Sequence, residues 1–249
     1  MDILQLSHYL DNLLDIKEIK DSPNAVNGLQ VQNIGEIKKV GLAVDFCIAT
    51  IEQAIAAECN MMFVHHGMLW GGLKPIRGNF YNKISLMIRE NLGLYSAHLP
   101  LDMHPLLGNN KVLANQLELY DLEPFGEYGG QKIGLKGRLD PISAERLGVK
   151  LENKLGSPMK VIGSGEIQTL GVVSGAAADI LGQAVDDGLD AYLTGEGANH
   201  HYHESIENEC VLILAGHYAT ETGGVKAVGN HLEEKFGIKT EFLDYPTGI

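Results

Sequence analysis

The chain has 249 residues, 45% of them hydrophobic and 20% charged, so it can bury a full core as one large domain or as two of about 120 residues. We read two. Its 32 Asp and Glu against 19 Lys and Arg leave a net charge of −13, which repels phosphate backbones and anionic lipid; nucleic-acid and membrane partners are not expected, and a small-molecule substrate is. Cys47, Cys59 and Cys210 are widely spaced and form no metal or disulfide framework. Met1-Asp2-Ile3-Leu4-Gln5 carries neither a basic segment nor a long apolar run, so a reducing, cytoplasmic location is expected.

Ile3, Leu6, Tyr9, Leu10, Leu13 and Leu14 recur at helical spacing and predict an opening amphipathic helix, closed off by Asp21-Ser22-Pro23-Asn24. Strands are predicted at 26–32 and 39–45, a helix over 48–58, a buried strand at 61–65, a helix around 80–90, a strand at 92–97 and a helix at about 109–118. Leu122 to Gly130 is rich in turn formers and reads as a linker. Beyond it come a strand at 131–138, a helix from Ser143, strands at 159–162 and 169–174, a helix at 179–187 and a strand at 190–194. A helix at 199–208, a strand at 211–215 and a helix at 222–236 complete the pattern. The β-α-β alternation predicts an α/β fold with mostly parallel sheets covered by helices, in two similar halves, 1–126 and 127–249. Ligands of such sheets gather beyond the carboxyl ends of the strands.

Displacing the sequence by 130 positions lays Gly41–Gly67 on Gly171–Gly197 without a gap, matching Gln53 to Gln183 and Ala54 to Ala184 and putting His66 on Glu196. A displacement of 119 lays His98 and Asp102 on His217 and Glu221. Two related halves facing each other across a metal-containing cleft are the expectation.

Three apolar runs end in imidazole. Met61-Met62-Phe63-Val64 runs into His65-His66, Leu92 to Ala97 into His98-x-x-x-Asp102, and Val211 to Gly216 into His217-x-x-x-Glu221. Neutral imidazole and carboxylate are ligands for Zn, Fe, Mn, Co or Ni, and six such side chains exceed what one ion needs. Two divalent metal ions are therefore expected. On a continuing strand His65 and His66 would point to opposite faces, whereas at a strand end turning into Gly67 they can diverge and serve two ions. Pro100 and the Gly216-His217-Tyr218 exit suggest that the two His-x-x-x-acid motifs lie in loops rather than on helices. A site of this kind favours hydrolysis, because each cation lowers the pKa of water.

Glu196, in Thr194-Gly195-Glu196-Gly197, has three open roles: general acid or base, orienter of a ligand histidine, or acid at a helix N-terminus. His200, His201 and His203 read as exposed residues of a polar helix, His104 as a rim residue, and His8 and His231 as structural or solvated. Gly71-Gly72 and Gly223-Gly224 lie near site side chains, the second pair at a helix start.

Phe63-Val64-His65-His66-Gly67, Ala97-His98-Leu99-Pro100-Leu101-Asp102, Thr194-Gly195-Glu196 and Gly216-His217-Tyr218-Ala219-Thr220-Glu221 together resemble the GTP cyclohydrolase 1 type 2 homologues, the Nif-three-like dinuclear metal-centre proteins, in their compact bacterial form. The resemblance runs from the first helix to the C-terminal strand. It implies His65, His66, Asp102, His217 and Glu221 as metal ligands, with Glu221 shared between ions and His98 beside the site, which breaks the equivalence of His98 and His217. It also implies a homohexamer and a nucleotide substrate. The implied reaction is hydrolytic opening of the guanine imidazole ring of GTP at C8, with Glu196 or His98 moving protons. A two-metal phosphoesterase and a non-catalytic metal-binding or metal-delivery protein are the alternatives; the sequence offers no clear Lys or Arg clamp for phosphate.

Overall fold

In the computed structural model, which describes residues 1–72 and 74–249, Asp2 opens helix α1 (Ile3–Leu13). Its carboxylate accepts the Gln5 amide, while the Gln5 side chain accepts the Asp2 amide, so two donors at the helix end are satisfied locally. Ile3, Leu6 and Leu10 form the buried stripe that the periodicity predicts. The first sheet holds β1 (Gly28–Val31), β2 (Lys39–Asp45), β3 (Met61–His66), β4 (Gly93–Ser96) and β11 (Lys239–Phe242), in the order β1-β4-β3-β2-β11. Its interior pairings are parallel and only the edge strand β1 is antiparallel. Helices α2 (Ile48–Ala56) and α3 (Gly78–Arg89) connect its parallel strands. The central strand β3 is buried along Met61–His65, which is why its sequence is a continuous apolar run rather than an alternation.

The second sheet is mixed: β5 (Tyr120–Tyr128), β6 (Gln131–Ser143), β8 (Glu166–Val172), β9 (Ala191–Thr194), β10 (Val211–Leu214) and β7 (Lys160–Ile162), in the order β5-β6-β8-β9-β10-β7. Only β8-β9 and β9-β10 run parallel, so this half is more antiparallel than expected. One of its three antiparallel pairings, β5–β6, comes from the segment that reads as a linker. Only its tip turns: Gly129 and Gly130, both at positive φ, close a tight hairpin between β5 and β6. Pro124 conceals the strand in the sequence, and it is tolerated because β5 is the edge strand.

Helices α4 (Leu99–Asp102), α5 (Asn109–Gln116), α6 (Ala144–Leu155), α7 (Leu181–Asp186), α8 (Asn199–Glu207) and α9 (His217–Phe236) complete the set. Both His-x-x-x-acid motifs are thus helical at their acid ends, against the loop reading. Glu221 lies one turn along α9 from His217, and Asp102 ends the single turn α4 that follows His98. Gly223 and Gly224 sit inside α9 rather than at its start. A Cβ at Gly223 would lie 2.7 Å from Val112 Cγ1, so the glycine permits close packing against α5.

Met1–Leu101 with Val225–Tyr245 form one compact unit, and Asp102–Gly224 with Pro246–Ile249 form the other. This grouping differs from a cut at residue 126. The β5–β6 hairpin carries residues 120–126 into the second unit, and β11 beside β2 carries the C-terminal segment into the first. Each unit has its own core: Ile51, Met62, Val64, Met87 and Leu94 are among the buried residues of one, and Leu147, Leu170, Leu193, Leu113 and Ile213 of the other. Each such side chain contributes about 1.5–3 kcal/mol on burial.

Candidate metal centre

In the first unit β2 and β3 run parallel with Asp45 opposite His66, so a carboxylate arrives beside an imidazole at the carboxyl ends of the two strands. His66 Nδ1 lies 2.8 Å from Asp45 Oδ1. His65, fully buried, has Nδ1 2.9 Å from the Ala97 carbonyl, one residue past the end of β4. His98 Nδ1 lies 2.7 Å from Asp21 Oδ1. A carbonyl or carboxylate oxygen only accepts, so each neutral ring donates its Nδ1–H and keeps its lone pair on Nε2. That is the tautomer a metal-binding histidine needs.

Asp21 is itself fixed by the Asn27 side chain and the Ser22 and Leu99 amides. Burial would raise its pKa, but the hydrogen bond and charge of His98, with Asn27 and Ser22, outweigh it and hold the carboxyl below its usual value. His65, His66 and His98 form one group able to hold an ion, their ligand atoms within 4.8 Å of one another. Their ring centroids lie 4.7–5.7 Å apart. The half-exposed Trp70 sets its ring edge-on to His98 at 4.9 Å.

In the second unit His217 and Glu221 share the first turn of α9, with His217 Nε2 3.1 Å from Glu221 Oε1 and His217 Nδ1 2.8 Å from Glu196 Oε1. Of the three roles open to Glu196, the hydrogen bond is that of an orienter. Burial would lower the His217 pKa, but hydrogen bonds and charge from Glu221 first and Glu196 second push it up to about 9. Without a metal the ring is therefore held as a cation between two carboxylates, and a divalent ion would take the place of its Nε2 proton. Gly175, at φ +69°, leaves the space beside this pair; a Cβ there would overlap Glu221 Oε1 and lie 3.3 Å from His217 Nε2.

Asp102, 6% exposed, has Oδ1 held by the Asn109 side chain at 2.8 Å and by Ser174 Oγ at 2.9 Å. Asn110 braces the same corner, receiving the Ser174 amide and donating to the Ile133 carbonyl. These donor sets fit borderline divalent ions: imidazole nitrogens in the right tautomer, buried carboxylates, a glycine cradle, and no thiolate.

Asp179, His200 and His201 make a further group of ligand type, but its chemistry is that of a helix cap. His201 Nδ1 accepts the Ala198 amide, which leaves the proton on Nε2, and that nitrogen donates to Asp179. His201 is thus a buried cap of α8 rather than the exposed residue expected. His231 bonds Tyr9 and is structural.

A family profile described as Duf34/NIF3 (NGG1p interacting factor 3) matches residues 1–247. The chain belongs to the Duf34/NIF3 family. It is 40% identical to a "GTP cyclohydrolase 1 type 2 homolog" of Halobacterium salinarum, with full coverage of both chains. It is also similar to two solved structures over the full length of each chain. One, from Thermus thermophilus, has 36% identity and a TM-score of 0.92; the other, protein ybgI, of unknown function, has 30% identity and a TM-score of 0.93.

Within this Duf34/NIF3 chain the residues that orient the histidines and brace Asp102 escaped the sequence reading, apart from Glu196. Asp45 had a signal: it follows the apolar run 40–44 as the histidine pair follows 61–64, and parallel neighbours bring such ends level. Asp21, Asn109, Asn110 and Ser174 had none, since each reaches the site from a loop or a helix start distant in sequence.

Proposed function

We propose that the protein is a dinuclear metal-dependent hydrolase with His65, His66, Asp102, His217 and Glu221 as ligands, and that it opens the imidazole ring of GTP or a related nucleotide. The observation that carries this reading is the shared hydrogen-bond pattern of His65, His66, His98 and His217, each with Nδ1 committed to an oxygen. Structural histidines have no reason to agree in this; ligands do. The name carried by the relatives points to the substrate.

Divalent ions would polarise the bond to be cleaved and make water acidic enough to act as a nucleophile near neutral pH. His98, its ring fixed by Asp21, is suited to take a proton at Nε2 and return it to the leaving nitrogen. Glu196 acts through His217, as its hydrogen bond directs. The proposal extends to a cytoplasmic homohexamer, on the resemblance alone; among the described residues no helix is long and apolar enough to cross a membrane.

The test is metal content and formate release from GTP, for the wild type beside Asp102→Ala and Glu221→Ala. About two ions per chain and turnover, both lost in the variants, are expected. Tightly bound metal without turnover of GTP, other nucleotides or phosphoesters would replace this reading with metal storage or delivery. Turnover of phosphoesters alone would make the protein a two-metal phosphoesterase.

A further inference from the structure

A cavity of about 260 Å³ in the second unit has Asp102, His104, Asn110, Lys111 and Lys132 among its lining residues. It is smaller than the ~300–1,000 Å³ of pockets that enclose a whole ligand, so it suits one substituent of a larger molecule. Lys111 comes from α5 and Lys132 from β6. Among the described residues neither makes an ion pair, whereas Lys39, Lys136 and Lys150 all do. At the cavity the two lysines face one lining carboxylate, that of Asp102, so its wall is locally positive even with Glu127 opposite Lys132 in the β5–β6 ladder.

His104, also in the lining, has its ring set by backbone amides. Its Nδ1 accepts the Leu106 and Leu107 amides, at 3.2 and 2.9 Å, so the neutral ring carries its proton on Nε2. The Asp102 carboxylate lies on the opposing side of the charge balance, with Oδ1 already held by Asn109 and Ser174.

We propose that this cavity seats a phosphate group of the substrate, with Lys111 and Lys132 as its binding residues. The inference rests on the metal reading for one point only, that Asp102, shared by the cavity and the ligand set, ties the phosphate seat to the reacting end of the same molecule. The lysines supply what the sequence did not display, because Lys111 and Lys132 meet only through the packing of α5 on the β5–β6 hairpin.

Inorganic phosphate, tripolyphosphate and GTP are titrated by calorimetry into wild-type protein, Lys111→Ala/Lys132→Ala and Lys111→Arg/Lys132→Arg, each with and without chelator, and the metal content of each is measured. The expected result is tripolyphosphate and GTP binding that survives chelation, weakens with salt, falls at least tenfold in the alanine variant and is retained in the arginine variant, with metal content unchanged. Guanosine alone should not compete. Binding indifferent to the alanine pair overturns the proposal, as does binding that vanishes with chelator, which places the anion on the metal instead. Lysine-dependent binding in a protein that takes up no metal would uphold the seat while the hydrolase reading fails.

Discussion

The two units use one backbone frame to present different chemistry. In the first, Val40, Gly41 and Leu42 of β2 pair with Met61, Met62 and Phe63 of β3; in the second, Leu170, Gly171 and Val172 of β8 pair with Ala191, Tyr192 and Leu193 of β9, each residue 130 positions further on. The registers coincide, as the gapless sequence alignment implies. The next strand does not keep step with the motif: Gly93 faces Met61 where Val211 faces Ala191, a displacement of 118, so His98 corresponds to Gly216 and not to His217. By the same frame Asp45 and His66 correspond to Gly175 and Glu196. In one unit the acid ends the first strand and orients a histidine on the second. In the other the acid lies just beyond the second strand, the histidine moves to α9, and a glycine beyond the end of the first strand makes room for it. A parallel β-α-β frame fixes where donors arrive; which donor it carries is free to change.

Truncating the frame at matched positions should have the largest effect. Phe63→Ala and Leu193→Ala remove equivalent, fully buried side chains, and each should cost about 2–5 kcal/mol in denaturant unfolding. A much smaller cost for one would break the equivalence of the two cores. Next come the orienting acids: Asp45→Asn and Glu196→Gln should each weaken metal affinity about 10–100-fold by chelator competition, with little loss of stability. A loss confined to Glu196→Gln would mean that the first unit's histidines do not ligate.

Gly175→Ala sharpens the contrast with Asp45. It places a Cβ at positive φ, at a cost of about 1–2 kcal/mol, and displaces Glu221, so metal affinity should fall more than the melting temperature does. The smallest effect is chemical. Burial pushes the Cys59 thiol in one unit and the Cys210 thiol in the other up to about 11. Alkylation at pH 8 should therefore mark the partly exposed Cys47 first, and labelling of the other two should rise as pH approaches 11. Early labelling of either one would show its unit opening in solution.

Most helices and the parallel strands were legible because their residues satisfy periodic patterns within a single segment. The edge strand β5 was not, since its Pro and acidic residues are acceptable only where one side of the strand is unpaired. The helical start of α9 was not, since the glycine and histidine at its beginning signal a turn equally well. The one-residue slip between His98 and His217 is invisible to any alignment of the motifs, because the ladder of backbone hydrogen bonds, not the side chains, sets register.

By itself the sequence determined the α/β class, the family, and the histidines and carboxylates able to ligate a metal, because local periodicity and residue chemistry are properties of the chain. The tertiary structure alone decided which oxygen holds each imidazole, where Asp45, Asp21 and Ser174 enter, and that Lys111 and Lys132 share a cavity with Asp102. Hydrogen bonds and charges act over a few ångströms in space, and strand pairing brings into that range residues that the sequence keeps tens of positions apart.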